Sequence, residues 1–227
     1  MTPAAVAFDV METLIALEPL GSRLEAVGLP ATAVQAWFPR TLLYGVGLSV
    51  VGDFVPFPVA AAASLRTISG HRLSEDEVAY VLAGFAELPA HPDVEPAMRM
   101  LADAGVRMIC LTNGSGATVQ AFLDRCGLAG YIEAVVPTAE INTWKPPARV
   151  YHHGAARLGL TPDQVALVAV HAWDCHAAKR AGLLTGWAAR AEGGYGEIFA
   201  PPDVSGADLV EVAEGLLALP DRIATDH

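Results

Sequence analysis

Ala7-Phe8-Asp9-Val10-Met11-Glu12-Thr13-Leu14 completes the first apolar run of the chain, and its reading decides the fold. Ala4 to Phe8, with β-branched Val6, is too short for a stable helix and suits a strand buried on both faces. Asp9 then stands at the strand's carboxyl end, the side of an open parallel sheet on which ligands bind. Taken alone, the acid could equally cap the next turn, since Asp is common at loop starts. The residues at the ends of the later strands decide between the two.

Working outward, the pattern after Leu14 turns helical over roughly 20–88. Apolar residues recur at helical spacing over 33–43, and an Ala-rich segment interrupted by proline comes next. Ser74-Glu75-Asp76-Glu77 is a capping box that opens a helix running to Leu88. No strand is read in this insert, and 89–92 supplies a hinge. From Asp93 helices and strands alternate: helix 94–104, strand 106–111, helix 117–126, strand 132–136, helix 148–158, strand 165–170, helix 174–181, strand 184–188 and helix 207–219. Such alternation predicts an α/β fold of right-handed crossovers on a parallel, doubly wound sheet. The Gly- and Pro-rich segment 192–205 reads as a loop long enough to border a site.

Composition narrows the function. The 227 residues are 53% hydrophobic and 17% charged, enough to bury a sizeable core and too apolar for disorder over most of the length. A net charge of −11 without a basic run speaks against nucleic-acid binding, which needs clustered Lys and Arg. Mean hydropathy is +0.38, yet the most apolar region, 42–65, is broken by Gly45, Gly47, Gly52, Asp53, Pro56 and Pro58, so no membrane span is expected. Met1-Thr2-Pro3 lacks the basic start of a signal peptide. Cys110, Cys126 and Cys175 are an odd, scattered set without metal-type spacing, which reads as a reducing cytoplasm.

Three polar clusters come after strands parallel to the first: Thr112-Asn113, Lys145 and Asp174. Each has a plain reading, as a turn, a surface charge and an acid favoured by a helix dipole. Together they predict a polar group converging on Asp9.

With these stretches in view, the chain resembles the haloacid dehalogenase superfamily, and within it the L-2-haloacid dehalogenase (type II) family. The resemblance rests on Phe-Asp-Val-x-x-Thr-Leu at 8–14, Leu-Thr-Asn-Gly-Ser at 111–115, Trp-Lys-Pro-x-x-x-Val-Tyr at 144–151 and His-Ala-Trp-Asp at 171–174. It implies a Rossmann-like core, residues 1–15 and 92–227, with a helical cap over 16–91. It implies Asp9 as a nucleophile that displaces halide from a small organic acid and forms an ester, which water then cleaves. Thr13 would hold the nucleophile's loop, Lys145 would keep Asp9 ionised, and Asp174 would orient the water or take its proton. Met11, Phe38, Arg40, Thr112, Asn113, Tyr151 and Trp173 are expected around the substrate. No cofactor is expected and no metal, because the superfamily's phosphatases carry acids where this chain has Met11 and Val170. A homodimer through the cap is expected.

The chain departs from that pattern at several places. Glu12 stands where Gly is usual, bringing a second carboxylate near Asp9. His171 replaces Asn, and reads either as the water-activating base, the preferred reading, or as a hydrogen-bonding substitute. Phe38 replaces the Arg that binds the substrate carboxylate, leaving that task to Arg40, to Arg190 or to a different kind of substrate. The alternatives are a phosphatase of the same superfamily and a protein that keeps the fold without the activity.

Overall fold

The computed structural model describes residues 2–220. Strand β1 (Ala5–Phe8) is buried along its whole length. Its side chains alternate between two cores: Val6 and Phe8 enter one, Ala5 and Ala7 the other. The four helices α1 (Leu20–Ala26), α2 (Val34–Val51), α3 (Phe57–Ile68) and α4 (Glu75–Ala83) form the insert after it. Beyond the insert come α5 (Val94–Asp103), β2 (Arg107–Thr112), α6 (Gly116–Arg125), β3 (Ala134–Pro137), α7 (Ala148–Arg157), β4 (Val165–Ala169), α8 (Ala172–Arg180), β5 (Leu184–Ala188), β6 (Val204–Gly206) and α9 (Leu209–Leu217).

The sheet has six strands, all parallel, in the order β3-β2-β1-β4-β5-β6. Helices α5, α6 and α9 share a core with Val6 and Phe8, whereas α7 and α8 share one with Ala5 and Ala7. The chain winds outward from β1 in one direction through β2 and β3, and in the other through β4, β5 and β6. The switch point between β1 and β4 is where such folds open a crevice. Register fixes what meets there, because Phe8 lies opposite Cys110 of β2 and Val168 of β4. Asp9, Thr112-Asn113 and Val170-His171 therefore emerge side by side.

The insert leaves and rejoins the core through two segments that pair: Ile15 bridges Ala90, Ala16 N–H donates to the Pro89 carbonyl at 3.0 Å and His91 N–H to that of Leu14 at 3.0 Å. Trp144 also fastens it. The Trp144 indole donates to the Val55 carbonyl at 2.9 Å and stacks on Phe57, with ring centroids 5.9 Å apart. It lies so close to α2 that a Cβ at Gly45 would stand 2.0 Å from the indole, so only glycine fits.

Three features differ from the sequence expectation. The helix read over 33–43 runs on to Val51, because Gly45 and Gly47 are tolerated where tertiary packing outweighs their low propensity. The helix opened by Ser74 gives way to a 3-10 turn at Gly84 rather than reaching Leu88. The segment read as a loop over 192–205 contains the start of β6, a three-residue edge strand too short for its periodicity to register.

Candidate active site

Both oxygens of Asp9 are held by side chains of the core. Thr13, on the loop that leaves β1, donates to Oδ2 at 2.8 Å, and its own hydroxyl accepts the Val170 N–H at 3.2 Å. Lys145, carried by the segment between β3 and α7, donates to Oδ1 at 3.0 Å. Burial opposes the charge on Asp9, but the Lys145 ammonium and the His171 ring hold its carboxyl far below the usual carboxylate range. The nucleophile candidate is thus ionised at any physiological pH.

Lys145 is fully buried and bridges to Asp174, whose Oδ2 lies 2.7 Å from Nζ. Tyr151 donates to the other oxygen of Asp174 at 2.5 Å. Burial, with Asp9 nearby, raises Asp174 above the usual carboxylate range even though Lys145 pulls it down. The phenol of Tyr151 is pushed well above its ordinary value, so it remains a donor. One ammonium shared by two buried carboxylates explains the asymmetry: Asp9 has further partners in Thr13 and His171, and Asp174 has only the phenol.

A small chamber opens above Asp9, lined by Met11, Phe38, Leu42, Phe57, Thr112, Asn113, His171 and Trp173. Asn113 accepts the Lys145 N–H at 2.8 Å through Oδ1, and its amide NH2 makes no hydrogen bond among the described residues. The Thr112 hydroxyl accepts the Gly114 N–H at 2.9 Å and keeps its own proton to donate. The chamber shares Phe38, Leu42, His171 and Trp173 with an open cleft of about 530 Å³ that also reaches Glu12, Glu18 and Arg190.

His171 lies between Asp9 and Glu12. Nε2 is 2.8 Å from Glu12 Oε2, and Nδ1 is 3.6 Å from Asp9 Oδ2. Burial works against its charge, yet the two carboxylates win and push the ring up to about 10, so the ring rests as an imidazolium. Glu12 reaches the ring from a left-handed backbone, φ 64°, a conformation that favours glycine and costs a larger residue ~1–3 kcal/mol.

Of the residues singled out in the sequence, Asp9, Met11, Phe38, Thr112, Asn113, His171 and Trp173 meet at the chamber. Thr13 and Lys145 stand directly behind Asp9. Three do not reach the substrate space. Asp174 and Tyr151 are buried beneath Lys145 and absorbed in its hydrogen bonds, which leaves Asp174 no oxygen for a water in the chamber. Arg40 is exposed and lies beside Tyr44, because the helix turns it about 200° away from the chamber-lining Phe38. Arg190 lines the cleft, but its guanidinium is spent on the Thr13 carbonyl at 2.7 Å and on Asp93. Leu42 and Phe57 also line the chamber, and no sequence motif marks them.

The arrangement does not suit a divalent cation. Lys145, Thr13 and His171 surround the Asp9 carboxylate, Val170 offers no oxygen side chain, and the described residues contain no group of three or more His, Cys, Asp or Glu placed to hold a metal. No helix among the described residues is long and apolar enough to cross a membrane.

Comparison with known proteins gives a consistent answer. Residues 3–182 match the family model of haloacid dehalogenase-like hydrolases. The chain is 30% identical over 186 residues to (S)-2-haloacid dehalogenase 1 of Pseudomonas sp. (strain CBS-3), covering 81% of this chain and 82% of the relative. It is 24% identical over 217 residues to (S)-2-haloacid dehalogenase of Pseudomonas putida, covering 93% and 96%. In fold it superposes with a TM-score of 0.87, at 20% identity, on L-2-haloacid dehalogenase from Xanthobacter autotrophicus with chloropropionic acid covalently bound, covering 96% of this chain and all of that one.

Proposed function

The chain belongs to the haloacid dehalogenase-like hydrolases, and from that premise we propose that it hydrolyses the carbon-halogen bond of a small 2-haloacid through an ester on Asp9. One observation carries the reading: a buried carboxylate, held ionised by Lys145 and His171 and fixed by Thr13, opens into a chamber walled by Met11, Phe38, Leu42, Phe57 and Trp173. An apolar wall strips water from both the carboxylate and the halogen-bearing carbon, which favours displacement. Oδ2, the oxygen nearer the chamber-lining His171, is the attacking atom, and Oδ1 stays against Lys145. When water adds to the ester, the oxyanion forms on that same Oδ1. A preorganised donor there contributes a rate factor of about 10²–10³.

Halide leaves as a stable anion, so no acid is required for departure, and the chemistry agrees with a Met at position 11. A phosphatase would need carboxylates for a cation where Met11 and Val170 stand, so it is the weaker reading. With Arg40 exposed and Arg190 engaged, the amide NH2 of Asn113 and the hydroxyl of Thr112 are the donors left for the substrate's carboxylate. The exposed apolar residues Leu43, Val50 and Val51 of α2 and Val59 of α3 suit a homodimer through the insert, residues 16–91, which acts as the cap. The three free cysteines suit the cytoplasm.

The test is a halide-release panel of chloro-, bromo- and fluoroacids run beside phosphate esters, with and without chelator. Chelator-insensitive halide release is expected. In heavy-oxygen water under single turnover, label should enter Asp9; label in the product alone would contradict the ester.

A further inference from the structure

His171 is clamped on all sides but one. Its ring stacks on Trp173, centroids 5.8 Å apart, and Phe38 lies against it at 6.4 Å. Glu12 holds Nε2 at 2.8 Å. The remaining ring nitrogen, Nδ1, is buried, has no hydrogen bond among the described residues, and faces Asp9 Oδ2 across 3.6 Å. That separation is too long for a hydrogen bond, so a water admitted to Nδ1 when the ester forms would lie next to the Asp9 carboxyl group. Because the resting ring is an imidazolium, it has no lone pair with which to take a proton from that water. The charge that keeps it protonated, however, is the one that esterification removes.

We propose that Glu12 and His171 form a base dyad that the Asp9 ester switches on, with Glu12 as the positioning residue that fixes the ring and its tautomer. The proposal rests on the dehalogenase reading for its substrate; its switch rests on Nδ1 facing Asp9 Oδ2 and Nε2 held by Glu12, the two carboxylates that keep the resting ring protonated.

The proton inventory closes. Oδ2 bonds to the substrate carbon as the carbon-halogen bond breaks and halide leaves with the electron pair. Asp9 is then neutral, and the Nδ1 proton, deprived of its nearest carboxylate, is released to solvent with the halide. Neutral Nδ1 takes a proton from water as the water oxygen bonds to the Asp9 carboxyl carbon. The intermediate collapses, and the departing alkoxide takes that proton back from Nδ1. The second water proton, left on the Asp9 carboxyl, passes to Nδ1 and restores the resting pair. One halide and one proton leave per turnover, as hydrolysis requires. The other charges around the ring do not compete for it: Lys145 is bonded to Asp9 and Asp174, Arg190 to Thr13 and Asp93, and Glu192 accepts the Ala172 N–H. From the insert, Phe38, Leu42 and Phe57 line the chamber with it and none titrates; Glu18 and His91 line the adjoining cleft, while the carboxylates that act on the ring are those of Asp9 and Glu12.

Two arms test this. Asp9→Asn reproduces the neutral ester carbonyl without any substrate, and ring-nitrogen NMR of His171 reads its titration directly. Relative to the unaltered protein, the midpoint should fall by at least about two pH units in Asp9→Asn, and further in Asp9→Asn with Glu12→Gln. A ring that stays protonated to the same pH in Asp9→Asn overturns the switch, whatever the enzyme's substrate. In the second arm, rapid quench with 2-chloropropionate should show Glu12→Gln and His171→Asn forming the ester but hydrolysing it about 10²-fold more slowly. For Glu12→Gln the pH profile of that step should move to lower pH. An unchanged hydrolysis rate and profile in Glu12→Gln would overturn the dyad. Failure of the unaltered enzyme to release any halide would instead strike the dehalogenase reading, and the NMR arm would still decide the switch.

Discussion

Replacing Lys145 by Met keeps the volume of the side chain and removes the one ammonium that two buried carboxylates share. Its Nζ sits 3.0 Å from Asp9 and 2.7 Å from Asp174 with no exposure to solvent. Taking one partner out of a buried ion pair costs roughly 3–5 kcal/mol, which at 1.36 kcal/mol per unit corresponds to ~2–4 pKa units. The proton taken up should go to Asp174 rather than Asp9. Asp174 already lies above the ordinary carboxylate range and would keep only Tyr151, whereas Asp9 would keep Thr13 and His171. The sign of the pH dependence is then fixed. A carboxyl whose folded value is raised above its unfolded value of about 3.9 stabilises fully below that pH, and the contribution is lost as pH rises through the folded value. The deficit of Lys145→Met against the unaltered protein should therefore be small near pH 4 and grow to about 3–5 kcal/mol by neutral pH. Urea unfolding at a series of pH values measures it. Halide release at the same pH values should fall by roughly 10²–10³, the worth of a lost donor at the oxyanion. A deficit that does not vary with pH, or turnover at the unaltered rate, would refute the account of the shared ammonium.

Gly45→Ala should cost stability by about 1–3 kcal/mol, since its Cβ would lie 2.0 Å from the Trp144 indole, and thermal unfolding reads the loss. Arg40→Ala should leave KM for the haloacid within about twofold, because an exposed arginine off the chamber wall adds little; a large rise would return the carboxylate to Arg40. His171 is held up to about 10 against an ordinary 6.5, so the stability it contributes is fully present below pH 6.5 and lost as pH rises toward 10. His171→Asn should flatten that alkaline decline in a pH series of melting temperatures.

The sheet was legible because β1, β2 and β4 are continuous apolar runs and the polar clusters come directly after them. Register then does what sequence order cannot, setting Asp9, Thr112-Asn113 and His171 at one level. The roles behind Asp9 were harder to read. A motif names Asp174 and Tyr151 but does not reveal that both are turned away from the chamber to hold an ammonium. His171 read as a base because an ordinary imidazole is neutral at pH 7. Two carboxylates within 3.6 Å, one of them arriving on a left-handed residue distant in sequence, reverse that in the resting state. Leu42 and Phe57 carry no chemistry, and only packing brings them to the wall.

Phe38, Glu12 and His171 look like three unrelated departures in the sequence, and they are one cluster in space: the Phe38 ring is 6.4 Å from that of His171, and Glu12 is 2.8 Å from its far nitrogen. This makes the lost arginine intelligible. A guanidinium at position 38, held near the present ring distance from an imidazolium, would meet like charge worth about 2–3 kcal/mol at an effective dielectric constant of 20, or about two pKa units at the ring. The core already places a cation beside position 38, with Glu12 as its counter-ion. Phe38→Arg should accordingly destabilise the protein most at pH 6, where His171 is charged, and less at pH 9 and above as the ring loses its proton. In a His171→Asn, Glu12→Gly background that pH dependence should vanish, leaving only the constant cost of fitting the longer side chain. Unfolding of the four proteins at both pH values separates the two contributions. A penalty for Phe38→Arg that is equal at pH 6 and pH 9 with His171 present would show that the two sites do not share a charge.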